Sequence, residues 1–295
     1  VVEERSPFLQ RFLNKITDNN EHIIIGQHDK NLPKLPKNIK PSLFFSDSSN
    51  ACITAEQNEA VEKIIKVAKG HRDRPLVLTA DRGRGKSSAL AIACAELLFQ
   101  LNVKNPQKLT IIITAPHRQC LDIFFKQLKS SLPIATYHEN QVIHEHGEIH
   151  FVAIDQLIKS GKTASLVLVD EAAAIPVYLL ELLVRRYHRM VFSSTVHGYE
   201  GAGRSFTLKF QKKLTEICPQ WQTFHINQPI RWSQNDPLES FILDSCLLDA
   251  QLPILTEETK KFESSNLGFS KISSEQLTQD ENLLAQVFAV LVTAH

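Results

Sequence analysis

Three short stretches of this chain carry residue types that could do phosphate chemistry together. The first is "LTADRGRGKSS", Leu78 to Ser88, in which Gly83 and Gly85 stand just before Lys86, Ser87 and Ser88. An apolar strand-like run leads into it, and an alanine- and leucine-rich helical pattern follows. In that setting loop N–H groups and the helix N-terminus can surround a β-phosphate, while a lysine reaches the β- and γ-oxygens. Arg84 lies inside the same loop, and Ser87 would place its hydroxyl on Mg²⁺. The general pattern G-x-x-x-x-G-K-[ST] wants glycine where Ala80 stands. The second stretch is "SLVLVDEAAAIP", where Leu166 to Val169 deliver Asp170 and Glu171 to the C-terminal end of a strand. Ligands of open α/β sheets sit at that end. There Asp170 would hold Mg²⁺ through water, and Glu171 would orient or deprotonate an attacking water. The third is "INQPIRW", in which Arg231 could reach a γ-phosphate as an arginine finger.

Other residues join these by position. Gln57 precedes the first core strand and could pair with an adenine edge, giving preference for ATP. Arg204, beside Gly198, Gly201 and Gly203, competes with Arg231, and spacing alone does not choose between them. Ser193-Ser194-Thr195, at a strand end, could link the site to a moving element.

To position such groups the chain must alternate strand and helix, and its apolar runs do so. Strands are expected at 75–79, 109–114, 149–154, 165–169, 190–195 and 221–227, with helices at 86–101, 117–131, 176–188, 204–217 and 236–248. Continuous apolar runs signal strands covered on both faces. The alternation predicts an α/β fold: a RecA-like P-loop NTPase with a mostly parallel sheet and helices on both faces. Upstream, residues 6–29 open with an amphipathic pattern and close on a strand-like run, His22 to Ile25. A connector with three prolines follows, which excludes regular helix or central strand. Residues 256–279 are polar and poorly periodic, and a last amphipathic helix starts near Glu281. The expected organisation is 1–50, remnant of an N-terminal domain and connector; 51–250, the ATPase domain; and 251–295, a linker and the start of a helix.

Composition narrows the class. A chain of 295 residues with 43% hydrophobic residues can bury a sizeable core, which excludes global disorder. A net charge of +1 gives no global electrostatic case for nucleic acid, so any such contact must be local. The five cysteines are scattered without a C-x-x-C pair, as in a reduced cytoplasmic protein. No apolar run approaches the roughly 18 residues of a membrane helix, so no membrane partner is expected. His138, His144, His146 and His150 crowd one stretch but read as a solvated turn before a strand rather than a metal site. The basic clusters Arg185, Arg186, Arg189 and Lys209, Lys212, Lys213 read as solvated helix faces, with nucleic-acid phosphates as the competing reading.

"TADRGRGKSSAL", "LVDEAAAIP", "STVHGYEGAGRSF" and "QPIRWSQNDPLE" together resemble the tRNA(Met) cytidine acetyltransferase family, TmcA, from about Ser6 onward. Such enzymes fuse an RNA-helicase-like ATPase module to a GNAT-type acetyltransferase, and make N4-acetylcytidine at the wobble position of elongator tRNA(Met) with acetyl-CoA and ATP. The resemblance implies ATP contacts at Gln57, at Gly83, Arg84, Gly85, Lys86, Ser87 and Ser88, and at Arg231. It favours Arg231 over Arg204, and it accepts Ala80 as this family's loop form. It implies that acetyl-CoA is bound by a transferase domain following His295, so this piece alone is not expected to acetylate. "DEAA" lacks the last aspartate of a DEAD-type box, which points to remodelling or clamping rather than processive strand separation. Two rivals stand beside this reading: a non-hydrolysing ATP-gated RNA-binding module, and an unrelated, DNA-directed P-loop ATPase.

Overall fold

A computed structural model describes residues 6–18, 25–28, 51–100, 108–196, 202–250, 252 and 268–294. It forms two compact units, one spanning Ser42–Gln234, the other joining Val1–Pro41 with Asn235–His295.

The larger unit is a sheet of eight strands: β1 (Leu76–Ala80), β2 (Leu109–Thr114), β3 (Thr136–Tyr137), β4 (Gln141–His144), β5 (Gly147–Phe151), β6 (Leu166–Val169), β7 (Met190–Thr195) and β8 (Gln222–Ile226). Their order is β3-β4-β5-β2-β6-β7-β1-β8. The strands from β5 to β8 pair in parallel, and β3, β4 and β5 form an antiparallel edge. The apolar runs split by strict alternation. Leu76, Leu78, Ile111, Ile113, Leu166, Leu168 and Val191 pack on one face under α2 (Ala55–Lys69), α3 (Lys86–Gln100) and α4 (Asp122–Ser131). Val77, Ile112, Val167, Val169 and Phe192 pack on the other under α5 (Ile154–Ser160), α6 (Val177–Arg186) and α7 (Ala202–Ile217). Two fully sequestered layers explain why the sequence shows unbroken apolar strands rather than polar alternation. Truncating one of their large side chains, such as Phe192, should cost about 3–5 kcal/mol.

The expected strands and helices are present with shifted ends. Residues 117–131 divide into a 3₁₀ turn at Arg118–Leu121 and α4. The short α5 was not expected, because seven residues offer too little periodicity to declare a helix. The stretch read as a solvated turn before a strand is largely the β3–β4–β5 edge. His144 lies inside β4, 6% exposed, with its ring against Phe99. The strand expected at His22 to Ile25 lies outside the described residues except for Ile25, which is irregular.

The smaller unit contains α1 (Pro7–Asp18), α8 (Pro237–Ser245), α9 (Ser274–Gln279) and α10 (Glu281–Ala294). Arg11 of α1 is 5% exposed and forks onto Glu281 of α10, with Nε and Nη2 donating at 2.7 and 2.8 Å. Its Nη1 donates to the Ser245 carbonyl of α8 at 2.6 Å. Among the described residues no helix is long and apolar enough to cross a membrane.

Candidate active site

β1 delivers the loop from Asp81 to Gly85, and α3 begins at Lys86. Gly83 and Gly85 have φ of 82° and 81°, in the left-handed region that favours glycine. A Cβ on Gly85 would also lie 2.5 Å from Ile230 Cδ1 and 2.7 Å from Gln57 Nε2. These two glycines supply the turns, so Ala80 can stay as the last residue of β1, fully buried. Lys86 is 6% exposed, and its ammonium donates to the Ala80 and Asp81 carbonyls at 3.2 and 3.3 Å. Burial pulls its pKa below the ordinary lysine value, opposed by Glu171, Asp170 and Asp81.

β6 ends beside this loop. Asp170 is fully buried; its Oδ1 accepts the Glu171 N–H at 3.0 Å. Its Oδ2, also buried, meets no hydrogen-bond partner among the described residues. An orphaned carboxylate oxygen beside a buried lysine is a place a hydrated divalent cation would fit. Glu171 has φ of 48°, a strained left-handed conformation for a non-glycine residue, which turns its carboxylate back toward the loop. From the neighbouring β7 the Thr195 hydroxyl donates to that carboxylate at 3.2 Å. Burial first, then the Asp170 charge, raise the Glu171 pKa; Lys86 and the Thr195 bond oppose them.

These groups surround a cavity of about 460 Å³ lined by Arg82, Gly83, Gly85, Lys86, Ser87, Ser88, Cys120, Ile123, Glu171, Thr195, Ile230 and Arg231. The structure thus brings together the glycines, Lys86, Ser87, Ser88, Glu171 and Arg231 of the sequence reading. Gln57, Arg84 and Asp170 sit behind this lining. Gln57 is 1% exposed; its Nε2 donates to the Gly85 carbonyl at 3.2 Å and its Oε1 accepts the Ile53 N–H at 2.8 Å. Arg84 is 7% exposed, its guanidinium 5.7 Å from the Trp232 ring centroid. The Arg204 side chain lies outside the described residues.

Sequence reasoning passed over several neighbours. Cys120 and Ile123, at the 3₁₀ turn and the start of α4, form one wall of the cavity. Glu56 binds the chain leaving β8: its carboxylate accepts the N–H groups of Asn227 and Gln228, and its own N–H donates to Gln228 Oε1 at 3.1 Å. Glu56 stands beside Gln57, the only hint the sequence offers. Among the described residues no group of three or more histidine, cysteine, aspartate or glutamate side chains is arranged to hold a metal ion by itself, and the five cysteines form no disulfide. Of the basic clusters, Arg186 and Arg189 bond backbone carbonyls and Lys213 pairs with Glu216, while Arg185, Lys209 and Lys212 are exposed.

Residues 77–249 match the family model described as RNA cytidine acetyltransferase NAT10/TcmA, helicase domain. The tRNA(Met) cytidine acetyltransferase TmcA of Vibrio cholerae is 43% identical over 86% of this chain and 35% of its own length. The protein of the same description from Nitrosococcus halophilus is 38% identical over 100% of this chain and 39% of its own. The chain therefore spans little more than a third of these relatives. The HK97 bacteriophage large terminase is a distant likeness, with a TM-score of 0.43 and 14% identity over 83% of this chain and 50% of that one.

Proposed function

This chain belongs to the RNA cytidine acetyltransferase NAT10/TcmA family, as its helicase domain, and from that premise we propose that it binds ATP with Mg²⁺ and hydrolyses it. The observation that carries the reading is the buried Lys86 ammonium, held by two loop carbonyls in the cavity that also receives Glu171 and Arg231. A buried cation facing an open cavity calls for an anion, and loop N–H groups at a helix N-terminus suit phosphate.

In this reading Lys86 neutralises charge on the transferred phosphoryl group, and Gly83 to Ser88 hold the phosphates. Ser87 and Asp170 hold Mg²⁺, which when bound shields the phosphate oxygens. Glu171 takes the proton of a water whose oxygen bonds to the γ-phosphorus as the bond to the β–γ bridging oxygen breaks. Its raised pKa suits a base that must accept a proton near neutral pH. Arg231 completes the clamp on the developing charge. Gln57 reads adenine only by giving up the contacts it makes with Ile53 and Gly85.

We further propose that this turnover positions elongator tRNA(Met) in the cytoplasm for N4-acetylation of its wobble cytidine. The acetyl-CoA site then belongs to the acetyltransferase domain of the full-length protein. Support comes from the relatives, whose names state tRNA(Met) cytidine acetyltransferase. The test is phosphate release with and without tRNA(Met), and with DNA. Stimulation by tRNA is expected. ATP binding without any release would favour the non-hydrolysing gate, and stimulation by DNA alone the DNA-directed rival.

A further inference from the structure

The clasp around the phosphate loop has a keystone outside the cavity. β8 is the edge strand, and its ladder with β1 ends at the Ala80–Ile226 pair. The next two N–H groups, of Asn227 and Gln228, have no strand left to pair with. Both are taken by one oxygen, Glu56 Oε2, from the first turn of α2. Gln228 answers by accepting the Glu56 N–H through its side chain. Two residues further on, the N–H groups of Ile230 and Arg231 both donate to the Gly83 carbonyl, at 3.0 and 3.2 Å. Ile230 also packs against Gly85, and Trp232 against Gly83. The segment 227–232 is therefore pinned at one end by Glu56 and at the other by the loop that would carry the phosphates.

We propose that Glu56 is a positioning residue: it fixes the exit of β8 so that Arg231 is presented to the cavity and Gly83 keeps its turn. An acid in the first turn of a helix is ordinarily explained by the helix dipole, with its carboxylate in solvent. Here the carboxylate bridges to a segment 171 residues away in the chain. A dipole role requires no such partner. The role rests on the reading of the cavity as an ATP site, and Glu56 acts through Arg231 rather than on the nucleotide.

The experiment is a double-mutant cycle read in ATP and ADP affinity by calorimetry and in phosphate release, on the protein with its natural flanking domains. Glu56→Ala is expected to weaken ATP binding five- to tenfold and to lower kcat. In an Arg231→Ala background the same change should add less than twofold, because the residue it positions is gone. Glu56→Gln keeps an acceptor oxygen for the two N–H groups and should recover most of the affinity, which a charge or dipole role would not predict. Should Glu56→Ala fail to fold, Glu56→Gln against Glu56→Lys carries the same cycle. Fully additive losses overturn the positioning role while leaving the ATP site intact. Wild-type protein that binds neither nucleotide overturns the site and the role together.

Discussion

Arg11 and Lys86 are both buried cations, 5% and 6% exposed, but their surroundings differ in kind. Arg11 meets a full carboxylate fork from Glu281 and the carbonyl of Ser245. Glu281 answers with a pKa lowered chiefly by its hydrogen bond to Arg11. Lys86 donates to neutral carbonyls of its own loop, and burial lowers its pKa although the Glu171, Asp170 and Asp81 charges oppose it. A cation matched by a fixed anion is structural, since removing either partner strands the other. A cation held by dipoles beside a cavity is poised for an anion that comes and goes. Burial alone does not separate the two cases; the identity of the partner does.

The sharpest break of this contrast is Lys86→Met. Phosphate release is expected to fall by about 10²–10³-fold, as for loss of a transition-state charge contact. Thermal stability should hold or rise, because a desolvated charge gives way to an apolar stem of similar length. A clear fall in melting temperature would mean that Lys86 is structural after all. Glu171→Gln comes next: turnover should drop about 10²-fold with ATP binding retained, measured side by side. Loss of binding in step with turnover would move Glu171 from base to a ligand of the nucleotide's Mg²⁺. Thr195→Val, an isosteric loss of the hydroxyl on Glu171, should cost about tenfold in kcat with KM little changed, and Thr195→Ser should restore it.

On the other side stands Arg11→Met. It leaves Glu281 without its fork and frees the Ser245 carbonyl, and should cost about 2 kcal/mol of stability by denaturant unfolding. The half-exposed Glu281 can turn to water, which keeps the value below that of a fully buried pair. No measurable loss would place Arg11 among exposed surface pairs.

The two sides of this contrast were not equally legible in the sequence. The glycine-rich loop before Lys86 and the Asp170-Glu171 step could be read because each is local: a strand, a turn and a helix start within a dozen residues. The layers of the sheet could be read because burial on both faces leaves unbroken apolar runs. Arg11 could not, since its partner lies 270 residues away and α1 reads as an ordinary amphipathic helix. Glu56 was hidden for the same reason, its role existing only once β8 becomes the edge beside β1. Gln57 was singled out, but nothing in its spacing showed that its amide would be engaged at both ends. The β3–β4 edge was masked by its polar residues, for an antiparallel edge strand carries a much weaker apolar signal than a central parallel one.

His144 offers a third kind of buried basic group, neither matched nor poised, and with it the smallest expected effect. Its Nδ1 accepts the His146 N–H at 3.3 Å, so the neutral ring carries its proton on Nε2, which is buried and meets no partner among the described residues. Burial first, then the neighbouring His146, lower its pKa, with Glu145 opposing. A protonated ring would lose the Nδ1 bond and place a charge beside Phe99. Because the folded pKa is depressed, the unfolded chain binds the proton first as pH falls. The contribution is then fully present above the ordinary histidine value of about 6.5 and is lost as pH drops from there toward the lowered folded value. Melting temperatures of wild type and His144→Gln, followed from about pH 7.5 to about pH 5, should converge as the wild-type advantage disappears. Parallel curves would show that the folded and unfolded states bind this proton equally and that burying His144 has no electrostatic cost. Convergence would set it apart from Arg11, which is matched by the carboxylate fork of Glu281.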